Sequence, residues 1–380
     1  MKIILVGNLA EDRQESMARF TALLEHGLRA RGHEVTLLAP TLRLARLGPR
    51  YRYDGLPKYL GYFDKFVLFP RQLRRHLAAR RPDVVHLTDQ AGAVYASALG
   101  TVPALATCHD LLQIRAARGE FSQQTVGRVG RLHQHWILQN LGRMPHLACV
   151  SGRTQADALQ LTGLPSARVS VIPNALNYPY QTVPAATARA RLAELDLAGG
   201  GFLTTPGGFL LHVGGGHWYK NRGGVLTIYA GLRRRLSPAP ALIMVGPPLS
   251  SADTALAATL GVDRHLVVLG GVTNAQLEAL YNLAEALVFP SWAEGFGWPV
   301  AEAQACGCPA FASDRAPMTE VGGRFTTYFD PADPEGAARI IAAAWPTRAA
   351  LRPLALAEAP RWRPALMLDA YEALYRRLIL

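Results

Sequence analysis

Ala286-Leu287-Val288-Phe289-Pro290-Ser291-Trp292-Ala293-Glu294-Gly295-Phe296-Gly297-Trp298-Pro299-Val300-Ala301-Glu302 reads as a strand, a loop and the start of a helix. The apolar run 286–289 stops at Pro290, as a buried parallel strand does. Pro299 suits the first turn of a helix, where its missing N–H costs nothing. Between them, Gly295 and Gly297 let the backbone approach a ligand closely. The first amides of the helix lack intrahelical acceptors and point the same way. That is an anion site by geometry and by dipole. Two carboxylates look out of place beside it until their work is separated. A Glu cannot hold a phosphate, but it accepts hydrogen bonds from polyol hydroxyls. Glu294 on the loop and Glu302 a turn into the helix would grip two different polyols flanking the anion.

The same unit recurs on both sides of this stretch. Ile3-Ile4-Leu5-Val6 ends at Gly7 and is followed by a polar loop through Gln14. A helix is predicted over 15–31 from the spacing of Met17, Phe20, Leu24 and Leu28, with Gly32 as its stop. Further strands are predicted at 35–38, 84–87, 103–107, 146–150 and 169–172. After a Pro/Ala-rich segment at 183–189 the rhythm restarts with Phe209-Leu210-Leu211-His212-Val213 and Gly214-Gly215-Gly216. Strands at 242–245 and 266–269 end in Gly246 and Gly270-Gly271. Thr273 with Gln276 three residues on is a capping-box pattern. Strands alternating with helices at this interval mean parallel sheets covered on both faces. Two such sets give an α/β fold of two Rossmann-like, doubly wound domains. Their ligands belong at the carboxyl ends of strands, in a central cleft.

Composition sets the outer bounds. With 380 residues at 49% hydrophobic and 18% charged, the chain has enough apolar content for two cores, which excludes disorder. The 35 Gly and 26 Pro follow no short period, which excludes collagen-like repeats. Four cysteines in this length are no disulfide framework, and their spacing suits no zinc site, so a cytoplasmic setting is expected. The apolar run that ends at Val6 is too short for a secretory segment, and no stretch reads as a membrane span. The net charge of +12 sits in one half. Residues 1–190 carry 24 basic and 12 acidic side chains, whereas 191–380 carry 16 of each. Residues 43–81 hold Arg43, Arg46, Arg50, Arg52, Lys58, Lys65, Arg71, Arg74, Arg75, Arg80 and Arg81 against Asp54 and Asp64 alone. Tyr51, Tyr53, Tyr59, Tyr62, Phe63, Phe66 and Phe69 are interleaved. Such a field attracts a phosphate-bearing substrate, a lipid surface or nucleic acid, and the protein is expected to be peripheral at the inner face of the membrane.

Glu294 followed by seven residues and Glu302, then Ala305-Cys306-Gly307-Cys308-Pro309, resembles the E-x7-E motif of the family-4 glycosyltransferases. Other matches run in the same order. Val213-Gly214 with Lys220-Asn221 resembles that family's donor-phosphate loop. Thr107-Cys108-His109-Asp110 resembles its T-x-H-D strand end. Val150-Ser151 and Val171-Ile172-Pro173-Asn174 resemble the close of its N-terminal domain. Arg361-Trp362-Arg363 resembles the segment that crosses back to the first domain. The similarity spans about residues 1–345. It implies the GT-B fold, with an acceptor domain at 1–190, a nucleotide-sugar donor domain at 191–362 and a returning helix at 363–380.

The resemblance also implies roles. Glu294 contacts the donor sugar, and the amides of Phe296 and Gly297 contact sugar and phosphate. Glu302 takes the ribose diol, with Gly214, Arg222 and Trp298 in the same donor site. Lys220 neutralises the leaving diphosphate, and His109 lies over the donor sugar, which makes His109, Lys220 and Glu294 the catalytic set. Arg13, Gln14 and Ser16, at a strand's carboxyl end, are expected to contact the acceptor or a phosphate. No Asp-x-Asp motif occurs, so no metal and no cofactor are expected beyond the nucleotide-diphosphate sugar. The implied reaction is sugar transfer with retention to a glycan, lipid-linked or small-molecule acceptor. The loop 214–220 lacks the arginine that many members carry ahead of the lysine, and Arg222 or His217 is the candidate to compensate. The first loop lacks the frequent Gly-Gly pair.

Plainer readings stand beside these. Alone, Glu302 is a first-turn Glu favoured by the helix dipole and His109 a strand-end histidine; the motif context favours ligand contact for both. Lys220 ahead of a helix conflicts with the dipole unless an anion binds there. His133, His135 and Trp136 read as helix packing, not metal ligands. The glycines 214–216 lack dinucleotide-loop spacing, which argues against a dehydrogenase. Rival functions are a nucleotide-sugar epimerase or phosphorylase on the same fold, and a non-catalytic basic module for anionic lipid or nucleic acid. No nucleic-acid motif occurs, so no nucleic-acid partner is expected.

Overall fold

A computed structural model describes residues 1–12, 14–45, 55–193, 195 and 206–380. Arg13, and Arg46, Arg50, Tyr51, Arg52, Tyr53 and Asp54 of the basic stretch, lie outside the described residues. The chain forms two compact units, one of Met1–Asn177 with Pro364–Leu380 and one of Tyr178–Arg363.

The first unit is built on a six-stranded parallel sheet. Its strands are β1 (Lys2–Val6), β2 (Glu34–Leu38), β3 (Val84–Leu87), β4 (Ala104–Cys108), β5 (Leu147–Cys149) and β6 (Val169–Val171), in the order β2-β1-β3-β4-β5-β6. Successive side chains leave a strand on opposite faces, and β1 shows what that produces. Ile3 and Leu5 enter one core with Phe20, Leu24 and Leu28 of helix Glu15–Ala30, while Ile4 and Val6 enter the other with Phe69, Leu73 and Leu77. Both faces are dry, which is why β1 reads as an unbroken apolar run. Helix Pro364–Ile379 covers the first face through Met367, Leu368, Tyr371, Leu374 and Tyr375. Its two tyrosines satisfy polar groups of the sheet beneath. Tyr375 Oη lies 2.7 Å from His86 Nδ1, His86 Nε2 lies 2.7 Å from Thr107 Oγ1, and Thr107 Oγ1 lies 2.8 Å from Tyr371 Oη. Burial pushes the His86 pKa down to about 3, so this histidine is neutral.

The second unit repeats the plan with β7 (Phe209–Val213), β8 (Ala241–Val245), β9 (Leu266–Leu269), β10 (Ala286–Phe289), β11 (Ala310–Ser313) and β12 (Thr327–Phe329), all parallel. Their order is β12-β11-β10-β7-β8-β9. The capping box at Thr273 forms as its sequence predicts, with Thr273 Oγ1 accepting from Gln276 N and Gln276 Oε1 accepting from Thr273 N. Residues 178–190, expected in the first domain, pack with the second unit. Gln181 N donates to Glu278 Oε1 at 2.9 Å, Val183 N donates to Asn282 Oδ1 at 2.8 Å, and Arg191 pairs with the buried Glu278. Among the described residues no helix is long and apolar enough to cross a membrane.

Candidate active site

In each parallel sheet the order in which strands are added reverses once: between β1 and β3 in the first unit and between β7 and β10 in the second. At such a point the loops leaving the two central strands part, and a ligand fits at their carboxyl ends.

In the second unit those loops are 214–221 and 290–297. The first depends on a close backbone approach. Gly246, with φ of 152°, lies so near the preceding loop that a Cβ there would sit 2.1 Å from the Gly214 carbonyl oxygen. The loop then forms a short turn, Trp218–Lys220, and Asn221 (φ 53°) caps helix Arg222–Arg233 by accepting from Gly224 N at 3.1 Å. Asn221 also donates to the Pro290 carbonyl at 2.9 Å, and Trp292 N donates to the Tyr219 carbonyl at 2.8 Å. These two bonds tie the loops together and bring Lys220 Nζ to 2.7 Å from Glu294 Oε1. Both side chains are largely buried, 15% and 8% exposed. The Lys220 ammonium also lies over the Phe289 ring, 5.2 Å from its centroid.

Gly297, with φ of 98°, caps helix Trp298–Ala305, and Pro299 occupies its first turn as expected. Phe296 is buried edge-on against Trp298 and Trp362, which fixes the loop that carries Glu294. Glu302 is buried, and its Oε2 accepts from the Tyr281 hydroxyl at 2.8 Å. Tyr281 is wholly buried; burial first, then the Glu302 carboxylate, hold its hydroxyl protonated. It orients Glu302 through Oε2, and sequence reading missed it because nothing local marks it.

Other polar atoms gather at these strand ends. His212 Nδ1 donates to the Val288 carbonyl at 3.0 Å, so its neutral ring presents Nε2 toward Gly214. Burial pushes its pKa down to about 4. Arg222 is buried at the first residue of its helix and donates through Nη1 to the Pro248 carbonyl at 3.1 Å. Its Nε and Nη2, like His212 Nε2 and Ser291 Oγ, have no partner among the described residues. His217 stacks on Tyr219, their ring centroids 5.3 Å apart.

In the first unit the loops at the reversal are 7–14 and 88–90. Asn8 donates to Asp89 Oδ2 at 2.9 Å and to Gln14 Oε1 at 2.5 Å, joining the ends of β1 and β3 to the start of helix Glu15–Ala30. Ser16 is exposed on that helix. His109, at the end of β4, is buried with Nε2 3.0 Å from the Thr88 carbonyl, and its ring meets Phe20 edge-on. A carbonyl only accepts, so Nε2 carries the proton. Burial lowers the His109 pKa against the opposing pull of Asp89, and the ring is neutral. Among the described residues no group of three or more His, Cys, Asp or Glu is placed to hold a metal.

The sequence matches two family descriptions in tandem, Glycosyltransferase Family 4 over residues 17–178 and Glycosyl transferases group 1 over residues 203–346. D-inositol 3-phosphate glycosyltransferase of Salinispora arenicola is 28% identical over 292 residues, covering 73% of this chain and 61% of that protein. The serotype-specific mannosyltransferase WbdA of Escherichia coli is 39% identical over 87 residues, 23% of this chain and 11% of WbdA. The chain thus spans about a tenth of WbdA and under two thirds of the Salinispora protein. Among solved structures, HepE of Anabaena, in complex with UDP and glucose, superposes with a TM-score of 0.72 at 17% identity, covering 99% of this chain and 100% of HepE. Two parallel doubly wound units with both family matches in order place the chain in the family-4 glycosyltransferases of the GT-B fold.

Proposed function

We propose that the protein transfers a sugar, with retention, from a nucleotide-diphosphate sugar to a hydroxylated acceptor. The observation that carries this reading is the buried Lys220–Glu294 pair beside the amide-rich start of helix Trp298–Ala305, with Glu302 a turn further on. A cation and a carboxylate in contact are what a glycosyl diphosphate requires. The ammonium and the helix amides take the diphosphate, where charge accumulates as the glycosidic bond breaks. Glu294 accepts from donor-sugar hydroxyls, and Glu302, oriented by Tyr281, accepts from the ribose. Gly214, Phe296, Gly297 and Trp298 line this donor site, and Arg222 adds a second cation. His109 is assigned to the donor sugar, and Gln14 and Ser16 to the acceptor side. Lys220 and Arg222 do the work of a bridging metal, so a chelator should leave donor binding unchanged.

Isothermal titration with uridine, guanosine and adenosine diphosphates tests the donor half. One of them should bind, and Lys220→Ala or Glu302→Ala should weaken it at least ~10-fold. Binding of none, or unchanged binding in both variants, refutes the reading. Neither the epimerase, the phosphorylase nor the non-catalytic module is favoured beside tandem glycosyltransferase matches.

The proposal includes docking at an anionic membrane surface. Its support is the exposed Tyr59 and Phe63 within the basic stretch 43–81. Sedimentation with phosphatidylglycerol vesicles should carry the protein down at low salt and release it at high salt. No sedimentation at low salt refutes this part.

A further inference from the structure

Helix Arg128–Leu141 of the first unit turns apolar side chains toward water. Val129, Leu132 and Trp136, three and four residues apart, form one stripe and are 69%, 71% and 38% exposed. Arg128, Arg131 and His135 share that spacing and form the row beside it. One exposed apolar residue is ordinary. A stripe of three flanked by cations, with a tryptophan among them, is how a helix meets a lipid surface.

On the other side of the arginine row the surface is concave. Helices Leu112–Ala117 and Arg128–Leu141 border an open groove of about 490 Å³, within the size range of ligand sites. Ile114, Ala117 and Leu138 give it apolar walls, and the exposed Leu132 forms part of its edge. Arg118, Arg128 and Arg131 line it as well. Acids do not offset these cations. Residues 111–145 hold five arginines and one acid, Glu120, which Arg115 and Arg118 already bind at 2.7 and 3.2 Å. Arg128 and Arg131 are exposed and pair with no carboxylate among the described residues. They stand at the start of their helix, where the dipole disfavours cations and the first turn offers no acid. The basic stretch 43–81 adjoins this face, because its Phe66 packs on Trp136 with ring centroids 5.1 Å apart.

We infer that the groove binds one anionic phospholipid, its phosphate on Arg128 and Arg131 and a hydrocarbon chain on Ile114, Ala117 and Leu138. The occupant follows from the order of the surfaces, which runs apolar groove, cations, apolar stripe. A lipid anion meets all three: chain in the groove, phosphate at the arginines, and bilayer neighbours around Val129, Leu132 and Trp136. A free phosphate would use the arginines alone, and a neutral lipid the groove alone. This site deepens the membrane-docking reading and rests on it only for the surface that supplies the lipid. It gives that surface a saturable contact on an element outside 43–81.

The test is isothermal titration of the whole protein with dihexanoylphosphatidylglycerol below its micelle concentration, so that no bilayer is present. One equivalent should bind. Glycerol 3-phosphate, which lacks the chains, and dihexanoylphosphatidylcholine, whose phosphate is balanced by its own cation, should each bind at least ~10-fold more weakly. Arg128→Gln/Arg131→Gln should weaken the lipid at least ~10-fold, and Leu132→Gln several-fold. All three side chains are exposed, so the melting temperature should hold within about 2 °C, and nucleoside diphosphate binding should not change. Tyr59→Ser/Phe63→Ser should leave this titration as it is while weakening sedimentation with vesicles. The inference falls if the short-chain lipid does not bind, or if the arginine double variant binds it unchanged. It falls too if glycerol 3-phosphate, hexaglutamate or the phosphatidylcholine binds as tightly. A second copy of the chain seated on the groove would appear in sedimentation velocity as a dimer that Leu132→Gln dissociates and the lipid does not, which also overturns it. If vesicles fail to carry the protein down while one equivalent of short-chain lipid still binds, the docking reading falls and the groove site stands.

Discussion

Replacing Lys220 by Met tests whether the ion pair at the second sheet's reversal acts as a unit. In the free protein the exchange leaves the Glu294 carboxylate 8% exposed with its ammonium partner gone. Removing one member of a buried pair costs about 3–5 kcal/mol, because the remaining charge stays desolvated. Lys220 keeps some contact with water, so the low end, about 3 kcal/mol, is the expectation. In a unit of this size that lowers the melting temperature by roughly 6–12 °C. Glu294→Gln should cost less, about 1–2 kcal/mol, since a lysine can turn its head toward solvent. The double variant Lys220→Met/Glu294→Gln should lose about 2–3 kcal/mol, less than the two single losses added together, giving a coupling energy of about 2 kcal/mol. Ligand binding separates the two residues in the opposite way. Without the ammonium, a nucleoside diphosphate loses a charge-assisted hydrogen bond of about 1.5–3 kcal/mol, or roughly 10–150-fold in Kd. Without the carboxylate, Lys220 is free of its competitor, and a bare nucleoside diphosphate should bind as tightly as before or tighter. Differential scanning calorimetry and isothermal titration on the four proteins read both quantities. Additive stability changes below about 0.5 kcal/mol, or equal weakening of the bare diphosphate by both single variants, refute the reasoning.

Tyr281→Phe removes the donor that holds Glu302 Oε2, so it should cost about 1.5–3 kcal/mol of stability and weaken nucleoside diphosphate binding several-fold, checked by urea unfolding and titration. Gly246→Ala places a methyl group 2.1 Å from the Gly214 carbonyl, and the variant should lose donor binding together with several degrees of melting temperature. Acid should destabilise both units. His86 and His212 have folded pKa values of about 3 and about 4, against about 6.5 unfolded. The unfolded chain therefore binds more protons below pH 6.5, so the contribution is complete above that pH and is lost as pH falls toward 4. For His212 this amounts to about 3 kcal/mol, and His212→Gln should flatten the melting temperature of its unit between pH 7 and 5.

The sequence carries the parts of this fold that are written locally. Ile3 to Val6 before Gly7, and Phe209 to Val213 before Gly214, announce strands because both faces of those strands are dry. Thr273 with Gln276 and Pro299 announce helix starts because capping chemistry is local. The strands β11, Ala-Phe-Ala-Ser, and β12, Thr-Tyr-Phe, escaped the reading: they are three or four residues of small or polar type and show no period. The site divides in the same way. Glu294, Glu302 and Lys220 were legible through their motif spacing, and the structure adds that Lys220 and Glu294 touch. Tyr281, twenty-one residues from Glu302, was invisible, because only the packing of its helix brings it to that carboxylate. Asp64 shows the converse. It reads as one of two acids diluting a basic stretch, yet it is buried and accepts from the backbone amides of Arg43, Leu44 and Ala45.

Helix Pro364–Ile379 has a consequence for biosynthesis. Its Tyr371 and Tyr375 complete the hydrogen bonds of Thr107 and His86 inside a sheet made of the earliest residues. During translation that face of the sheet stays without its covering helix while the whole of 178–363, a compact unit of its own, emerges. The usual order, in which the leading domain is finished first, is thus inverted: the inserted half closes early, and the opening half closes only when its missing helix arrives. A nascent chain stalled before residue 364 should hold a protease-resistant rear and a chaperone-bound front, and fragment 1–177 supplied with 364–380 in trans is the minimal system in which that late closure can be timed.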